Sequence, residues 1–192
     1  MESKRGVYPG SFNPPTTAHL AISEAARDAH ELDVVVWAVS EVALAKESVS
    51  RPRFEDRIAI LQRVADSRDW LSIVVTEAQL LVDISHGYDV LIMGADKWHQ
   101  IQDPVFYDAD HGRRDAAMAA LPDLAIAPRP PLEIPPHLSL EVPPWTADIS
   151  STSAREGSRA MMLDEAIVFD QHTGAWTDGE RYERWLAAQR GR

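Results

Sequence analysis

Two distant segments of this chain combine the residue types that bind phosphate. The first is Gly10-Ser11-Phe12-Asn13-Pro14-Pro15-Thr16-Thr17-Ala18-His19, and the second is Ile149-Ser150-Ser151-Thr152-Ser153-Ala154-Arg155. The first segment lies between a short apolar stretch and a helical pattern over residues 20–30, which predicts a strand, a tight loop and a helix start. The N–H groups and the dipole at a helix start attract anions, so we expect a phosphate there.

Within these segments the spacing brings complementary groups together. Gly10 allows the backbone to approach a phosphate closely, and Thr16 and His19 lie one helical turn apart, so that a hydroxyl and an imidazole point the same way. Residues 150–152 are serine and threonine, which are typical of helix N-caps, and Arg155 lies one turn beyond Ser151. We expect the second segment to offer N–H groups, hydroxyls and a guanidinium to one anion.

Together the two segments resemble the signatures of a known superfamily. Residues 10–14 with Thr16-x-Ala18-His19 resemble the (T/H)xGH motif of the nucleotidyltransferases, the adenylyl- and cytidylyltransferases, and residues 149–155 resemble their ISSTxxR motif. A third piece, Gly94-Ala95-Asp96-Lys97-Trp98, resembles the GxD segment of the branch that makes NAD precursors, the nicotinate or nicotinamide mononucleotide adenylyltransferases. The resemblance spans residues 5–157.

The chain departs from the motif at two positions. Ala18 stands where the family usually has glycine, and Thr16 stands where the NAD branch usually has histidine. Threonine is usual at the second position in the pantetheine-phosphate adenylyltransferases. The departures therefore bear on the substrate more than on the chemistry.

The resemblance implies an adenylyltransferase that moves AMP from ATP to a phosphorylated acceptor, nicotinate or nicotinamide mononucleotide, and releases pyrophosphate. Mg²⁺ would arrive with the ATP and keep most of its waters. The implied catalytic residues are Thr16, His19 and Lys46. The implied ATP contacts are Gly10, Ser11, Phe12, His19, Gly94, Asp96, Ile149, Ser150, Ser151, Thr152 and Arg155. The implied acceptor contacts are Lys46, Arg57 and Trp98.

Other interpretations stay open. The alternatives are an enzyme whose acceptor is pantetheine phosphate, an enzyme that joins CTP to an alcohol phosphate, and a regulatory protein that keeps the phosphate-binding residues without turnover. Ala18 is the first residue that would explain such a loss, because an added methyl group crowds a phosphate. Asp96 could cap a helix that starts at Lys97, and Trp98 could be a packing residue rather than a stacking one. Class I aminoacyl-tRNA synthetases share a related histidine motif, but the sequence has no KMSKS segment.

Composition narrows the function further. The absence of cysteine excludes disulfides, thiolate zinc sites and cysteine nucleophiles, and a net charge of −11 argues against general nucleic-acid binding. Positive charge concentrates locally, at Lys46, Arg51, Arg53 and Arg57, where a solvated surface and a substrate site are both plausible. There is no HExxH, GxSxG or GxxxxGK(S/T) motif, and we predict no protein-built metal site. No signal peptide or membrane span is evident, so we expect a cytoplasmic protein that could form a homo-oligomer.

Strand and helix patterns alternate along the chain. Apolar runs suggest strands at 34–39, 71–75, 90–93, 124–127 and 138–142, each buried on both faces, and helical patterns occupy 20–29, 54–65, 77–84 and 114–121. This predicts a single domain, residues 1–192, with a doubly wound, Rossmann-like parallel sheet and helices on both faces. Residues 159–192 form a helical extension, whose amphipathic helix at 178–189 packs on the body or on a second copy. Gly10, Gly94 and Ser150 each follow a predicted strand, at the edge where such sheets bind ligands.

Overall fold

A parallel sheet forms the centre of the molecule. The computed structural model describes residues 3–41 and 51–190. The strands of these residues are β1 (Arg5–Pro9), β2 (Val34–Ser40), β3 (Leu71–Thr76), β4 (Val90–Gly94) and β5 (Asp123–Ala127). All pairs are parallel and the order is β3-β2-β1-β4-β5, which confirms the predicted α/β, Rossmann-like fold. Strand order reverses between β1 and β4, the position where doubly wound sheets bind ligands.

Helices connect the strands and continue after the sheet. They are α1 (Thr17–His30), α2 (Phe54–Asp66), α3 (Leu81–Ile84), α4 (Ala95–Ile101), α5 (His111–Ala119), α6 (Ser151–Arg155), α7 (Asp164–Thr173) and α8 (Gly179–Arg190). None of the helices in the two described ranges has both the length and the apolar character needed to cross a bilayer.

The two faces of the sheet carry separate apolar cores because successive side chains of a strand point to opposite sides. Tyr8 and Trp37 belong to the core that α1 and α2 cover. Val7 and Ala38, their neighbours in sequence, belong to the core that α3, α4 and α5 cover. Burial on both sides explains why β1, β2 and β4 are continuously apolar.

The prediction of burial on both faces is wrong for β3. This strand lies at the edge of the sheet, where only β2 pairs with it. Val74 and Val75 are 36% and 43% exposed there. Edge position, which depends on strand order, therefore overrides the apolar composition of the run.

The predicted strand at 138–142 is also wrong. Pro136–Leu138 forms a 3₁₀ turn, and the segment touches the sheet through one backbone hydrogen bond, from Leu140 N–H to the carbonyl of Ile126, 2.8 Å. Prolines before and after the run lack the N–H groups that a ladder requires. Ser150 consequently follows the 3₁₀ turn Pro144–Asp148 and not a strand.

Two helical patterns differ from the helices that form. Of the pattern at 77–84, only the turn Leu81–Ile84 is helical. The helix predicted from residue 114 begins at His111, because the Asp110 side chain caps it by accepting the N–H of Arg113 at 3.0 Å.

The C-terminal extension packs against α2. Trp176, Tyr182 and Leu186 form an apolar cluster with Ile60 of α2, and the Tyr182 hydroxyl donates to Asp56 on the same helix. Of the two predicted arrangements of this amphipathic helix, the structure therefore shows packing on the body of the chain.

We predict that Ser23→Ala destabilises the fold. The Ser23 hydroxyl is fully buried, accepts the indole N–H of Trp37 at 2.8 Å and donates to the His19 carbonyl at 2.8 Å. Its loss leaves the buried Trp37 N–H unpaired, which costs about 1–3 kcal/mol of unfolding free energy. Urea unfolding of Ser23→Ala measures this cost, with Ser67→Ala as the control because Ser67 is an exposed residue whose loss leaves no buried indole N–H unpaired. Equal unfolding free energies for the two variants would contradict the prediction.

Candidate functional site

A cavity of about 280 Å³ opens at the carboxyl edge of the sheet, where strand order reverses. The ends of β1, β4 and β5 line its floor, and the first turns of α1, α4 and α6 line its walls. Helix starts present backbone N–H groups and a positive dipole, so the walls favour an anionic ligand.

A capping box at the start of α1 orients His19. The N–H of Thr16 donates to Nδ1 of His19 at 2.9 Å, and the Thr16 hydroxyl lies 2.8 Å from the same nitrogen. In return, the N–H of His19 donates to the Thr16 hydroxyl at 3.4 Å. Because Nδ1 accepts a backbone N–H, the neutral ring carries its proton on Nε2. Nε2 has no hydrogen-bond partner among residues 3–41 and 51–190, so this N–H is left for a ligand.

The surroundings of His19 keep its ring neutral. The ring packs against Phe12, with centroids 5.0 Å apart, and against Tyr8 and Trp37 at 6.0 and 6.2 Å. Burial, as the larger cause, and the like charge of Arg129 together lower the pKa of His19 to about 4. At neutral pH, His19 is therefore a directional hydrogen-bond donor without a charge.

Hydrogen bonds join the two segments that the sequence separates. The Ser151 hydroxyl donates to the Pro14 carbonyl at 2.9 Å, and the Arg155 guanidinium donates to the Asn13 carbonyl at 2.5 Å. Ser150 caps α6 and accepts an N–H at 3.0 Å, as predicted for this residue type. Residues of both segments, 10–19 and 149–155, line the same cavity.

Glycine leaves room for a neighbouring side chain at two positions around the cavity. A Cβ on Gly10 would lie 3.0 Å from the Phe12 ring, and one on Gly94 would lie 2.6 Å from a carboxylate oxygen of Asp96. The interpretation of Asp96 as a helix cap is wrong, because α4 starts at Ala95 and its N-cap is Gly94. The exposed Asp96 carboxylate instead lines the cavity.

The structure brings most of the predicted site residues together. Those that line the cavity are Gly10, Thr16, His19, Gly94, Asp96, Ile149, Ser150, Ser151 and Thr152. Ser11 is exposed beside it, and Phe12 lies behind His19, stacked on Trp37 with ring centroids 4.4 Å apart. Phe12 thus shapes the site from the core, with a left-handed φ of 44° that turns the loop.

Two of the predicted acceptor residues, Trp98 and Arg57, lie outside the lining of this cavity. Trp98 packs partly buried against the core that α3, α4 and α5 cover. Arg57 is 6% exposed under the Phe54 ring, and its Nε has no hydrogen-bond partner among the described residues. Lys46 lies outside the described residues. The acceptor roles of these side chains stay predictions.

Sequence reasoning missed Tyr8 and Arg129, which also line the cavity. Burial raises the pKa of Tyr8, and Asp96 raises it further, although Arg129 opposes them, so the phenol stays protonated and can donate. Arg129 follows β5 and donates to the Ile149 carbonyl at 3.4 Å. The strand-edge rule that selected Gly10 and Gly94 would have selected Arg129 after the apolar run at 124–127.

Comparisons with known proteins indicate the family of this chain. A family model described as cytidylyltransferase-like matches residues 7–157. A protein of Salinibacter ruber named probable nicotinate-nucleotide adenylyltransferase is 30% identical over 50% of this chain and 58% of its own length. A protein of Listeria innocua with the same name is 27% identical over 55% of this chain and 66% of its own length. The chain thus matches less than two thirds of either relative.

We predict that His19 titrates near pH 4 in the protein. The pKa of this buried ring lies below that of the unfolded chain, about 6.5, so the unfolded state binds more protons between these values. The unfolding free energy therefore falls as pH drops from 6.5 toward 4, and it is unaffected by His19 above that window. NMR titration of the His19 ring measures the pKa, and His19→Gln assigns the signal.

Arg129→Gln provides a directional check of the same titration. Removing the nearby positive charge should raise the pKa of His19, but not to its ordinary value, because burial is the larger cause. Titration of wild-type His19 near pH 6.5 would contradict the assigned environment.

Proposed function

We propose that this chain, which belongs to the cytidylyltransferase-like family, transfers the adenylyl group of ATP to a pyridine mononucleotide. An oxygen of the acceptor phosphate would attack the α-phosphorus of ATP. The bond from that phosphorus to the oxygen bridging to the β-phosphate would break, and pyrophosphate would leave. The observation that carries this proposal is the joining of residues 10–19 and 149–155 around one cavity.

His19 would stabilise the charge that develops during transfer. Its Nε2–H is aimed by the bond from Thr16 to Nδ1, and a donor held in place before reaction needs no rearrangement in the transition state. A neutral donor suits this step because the acceptor phosphate is already ionised and needs no general base. Catalysis then consists of positioning and charge stabilisation.

The triphosphate would lie along the start of α6. Ser151 and Thr152 line the cavity, and we assign them to the β- and γ-phosphates. Arg155 donates both to the Asn13 carbonyl and to the Thr152 hydroxyl, so it would order this part of the cradle as well as supply charge. Arg129 and Lys97 line the cavity and would add positive charge to it.

Mg²⁺ would enter this site on the triphosphate. Among the described residues that line the cavity, Asp96 is the single carboxylate, and no group of three acidic, histidine or cysteine side chains is arranged for a metal. This donor set suits an ion that keeps phosphate and water ligands.

The names of the two relatives favour nicotinate mononucleotide as the acceptor. Thr16 favours the alternative, pantetheine phosphate, because the resemblance associates threonine with those enzymes. Ala18, the other departure, is buried in the first turn of α1 and lines the cavity. Activity assays on the wild-type chain show which of these acceptors reacts. They also show whether the chain binds nucleotide without turnover.

We expect pyrophosphate release from ATP with nicotinate or nicotinamide mononucleotide, and little with pantetheine phosphate or with CTP. His19→Ala should lower kcat about 10²- to 10³-fold, because one preorganised donor is lost. His172→Ala is the control, since His172 is exposed on α7 and outside the cavity lining. ATP binding without pyrophosphate release from any acceptor would overturn the proposal in favour of the non-catalytic alternative.

Trp98→Ala tests the pyridine acceptor separately. Stacking of a base on an aromatic side chain contributes about 1–3 kcal/mol, so we expect the acceptor KM to rise roughly 5- to 150-fold with the KM of ATP unchanged. Trp70→Ala is the matched control, because Trp70 is likewise partly buried but packs on the other core. If both variants lose stability and keep the acceptor KM, Trp98 serves packing alone.

A further inference from the structure

Asn13 is the point where the C-terminal extension contacts the phosphate loop. Its side chain is 5% exposed, and its Oδ1 accepts the indole N–H of Trp176 at 2.7 Å in a buried hydrogen bond. Its backbone carbonyl accepts the Arg155 guanidinium, and its amide donates to the Arg51 carbonyl at 3.5 Å. Residues from three distant parts of the chain thus converge on one loop residue.

Trp176 is itself held firmly in the turn between α7 and α8. The fully buried Asp170 carboxylate accepts the N–H of Trp176 at 2.8 Å and the N–H and hydroxyl of Thr177 at 3.0 and 2.6 Å. Arg159 donates to the same carboxylate at 2.7 Å. These hydrogen bonds fix the backbone of the turn, and the indole N–H of Trp176 points from it toward Asn13.

The loop that Trp176 reaches also positions the reacting groups. Asn13 directly follows Phe12, whose ring packs on His19, and it directly precedes Pro14, whose carbonyl accepts the Ser151 hydroxyl. A shift of the Asn13 side chain would be passed to both, because neighbouring residues of a tight loop move together.

We propose that Trp176 is a positioning residue for the transfer reaction. By holding Asn13, it keeps His19 and the start of α6 in fixed positions relative to each other. This inference rests on the proposed function. The buried hydrogen bond between Asn13 and Trp176 has a preferred direction, so it fixes the orientation of the loop. Apolar packing has no such direction and would hold the extension without orienting the loop. No covalent step passes through Trp176.

The first test compares two identical substitutions in the extension. Trp176→Phe removes the indole N–H and keeps an aromatic ring, so we expect kcat for pyrophosphate release to fall about 10- to 100-fold, with a smaller change in the KM of ATP. Trp185→Phe is the control, because the Trp185 ring stacks on Tyr182 and its N–H bonds to none of the described residues. Equal kcat values for the two variants, both folded by circular dichroism, would overturn the inference.

Asn13→Leu tests the same hydrogen bond from the other side. Leucine has a similar branched shape but a larger volume, and it removes both the Oδ1 acceptor and the amide that donates to Arg51, so its effect on kcat should equal or exceed that of Trp176→Phe. The double variant should lose little more than Asn13→Leu alone, because both substitutions remove the hydrogen bond between Asn13 and Trp176. Multiplied losses in the double variant would show independent effects and contradict the inference. If Trp176→Phe fails to fold, the kcat of Asn13→Leu alone still tests whether the hydrogen bond between Asn13 and Trp176 matters for transfer.

NMR of His19 provides a readout that needs no turnover. The pKa of His19 is about 4 in the wild-type chain. If the loop loosens in Trp176→Phe, water reaches the ring and this pKa should rise. In Trp185→Phe the pKa of His19 should stay at the wild-type value. Should the wild-type chain transfer no adenylyl group, the proposed function fails, yet this titration still tests whether Trp176 positions the loop. An unchanged pKa of His19 in Trp176→Phe would overturn the positioning role.

Discussion

The site depends on one constraint: the irregular loop between β1 and α1 must be held in place by residues from the other end of the chain. A loop of this kind loses conformational entropy when it is ordered, and its own backbone cannot compensate for that loss. Hydrogen bonds from Ser151, Arg155 and Trp176 to Pro14 and Asn13 supply the compensation. The cavity at the sheet edge is therefore a product of long-range contacts as much as of the loop sequence.

The same arrangement explains the electrostatics of the site. A chain with a net charge of −11 does not attract polyanions generally, so the phosphate binding that we propose depends on local donors. Backbone N–H groups, hydroxyls and a neutral imidazole provide them, and Arg129 and Lys97 add charge at the rim. Burial of His19 among aromatic rings removes its charge and leaves one aimed N–H, which suits a reaction whose demand is positioning.

The strands of the sheet and several residues at its carboxyl edge could be predicted from local sequence patterns. Apolar runs located β1 to β5, because a strand buried in a parallel sheet needs no partner in sequence to be recognised. The edge rule then placed Gly10 and Gly94 at the switch point before any contact was known. It failed for Ser150, since the run before it is flanked by prolines and makes no ladder. The same edge rule also fits Arg129, which follows β5 and lines the cavity.

The sequence by itself determined the strand and helix alternation, the helix cap at Ser150 and the residue types that suit phosphate, because these depend on neighbours within one or two turns. Only the tertiary structure decided that Phe12 lies in the core and that Arg57 is buried under Phe54. It alone showed that Trp176 reaches Asn13 across 163 positions. Burial and partner choice are set by which distant segments pack together, and spacing along the chain carries no information about that.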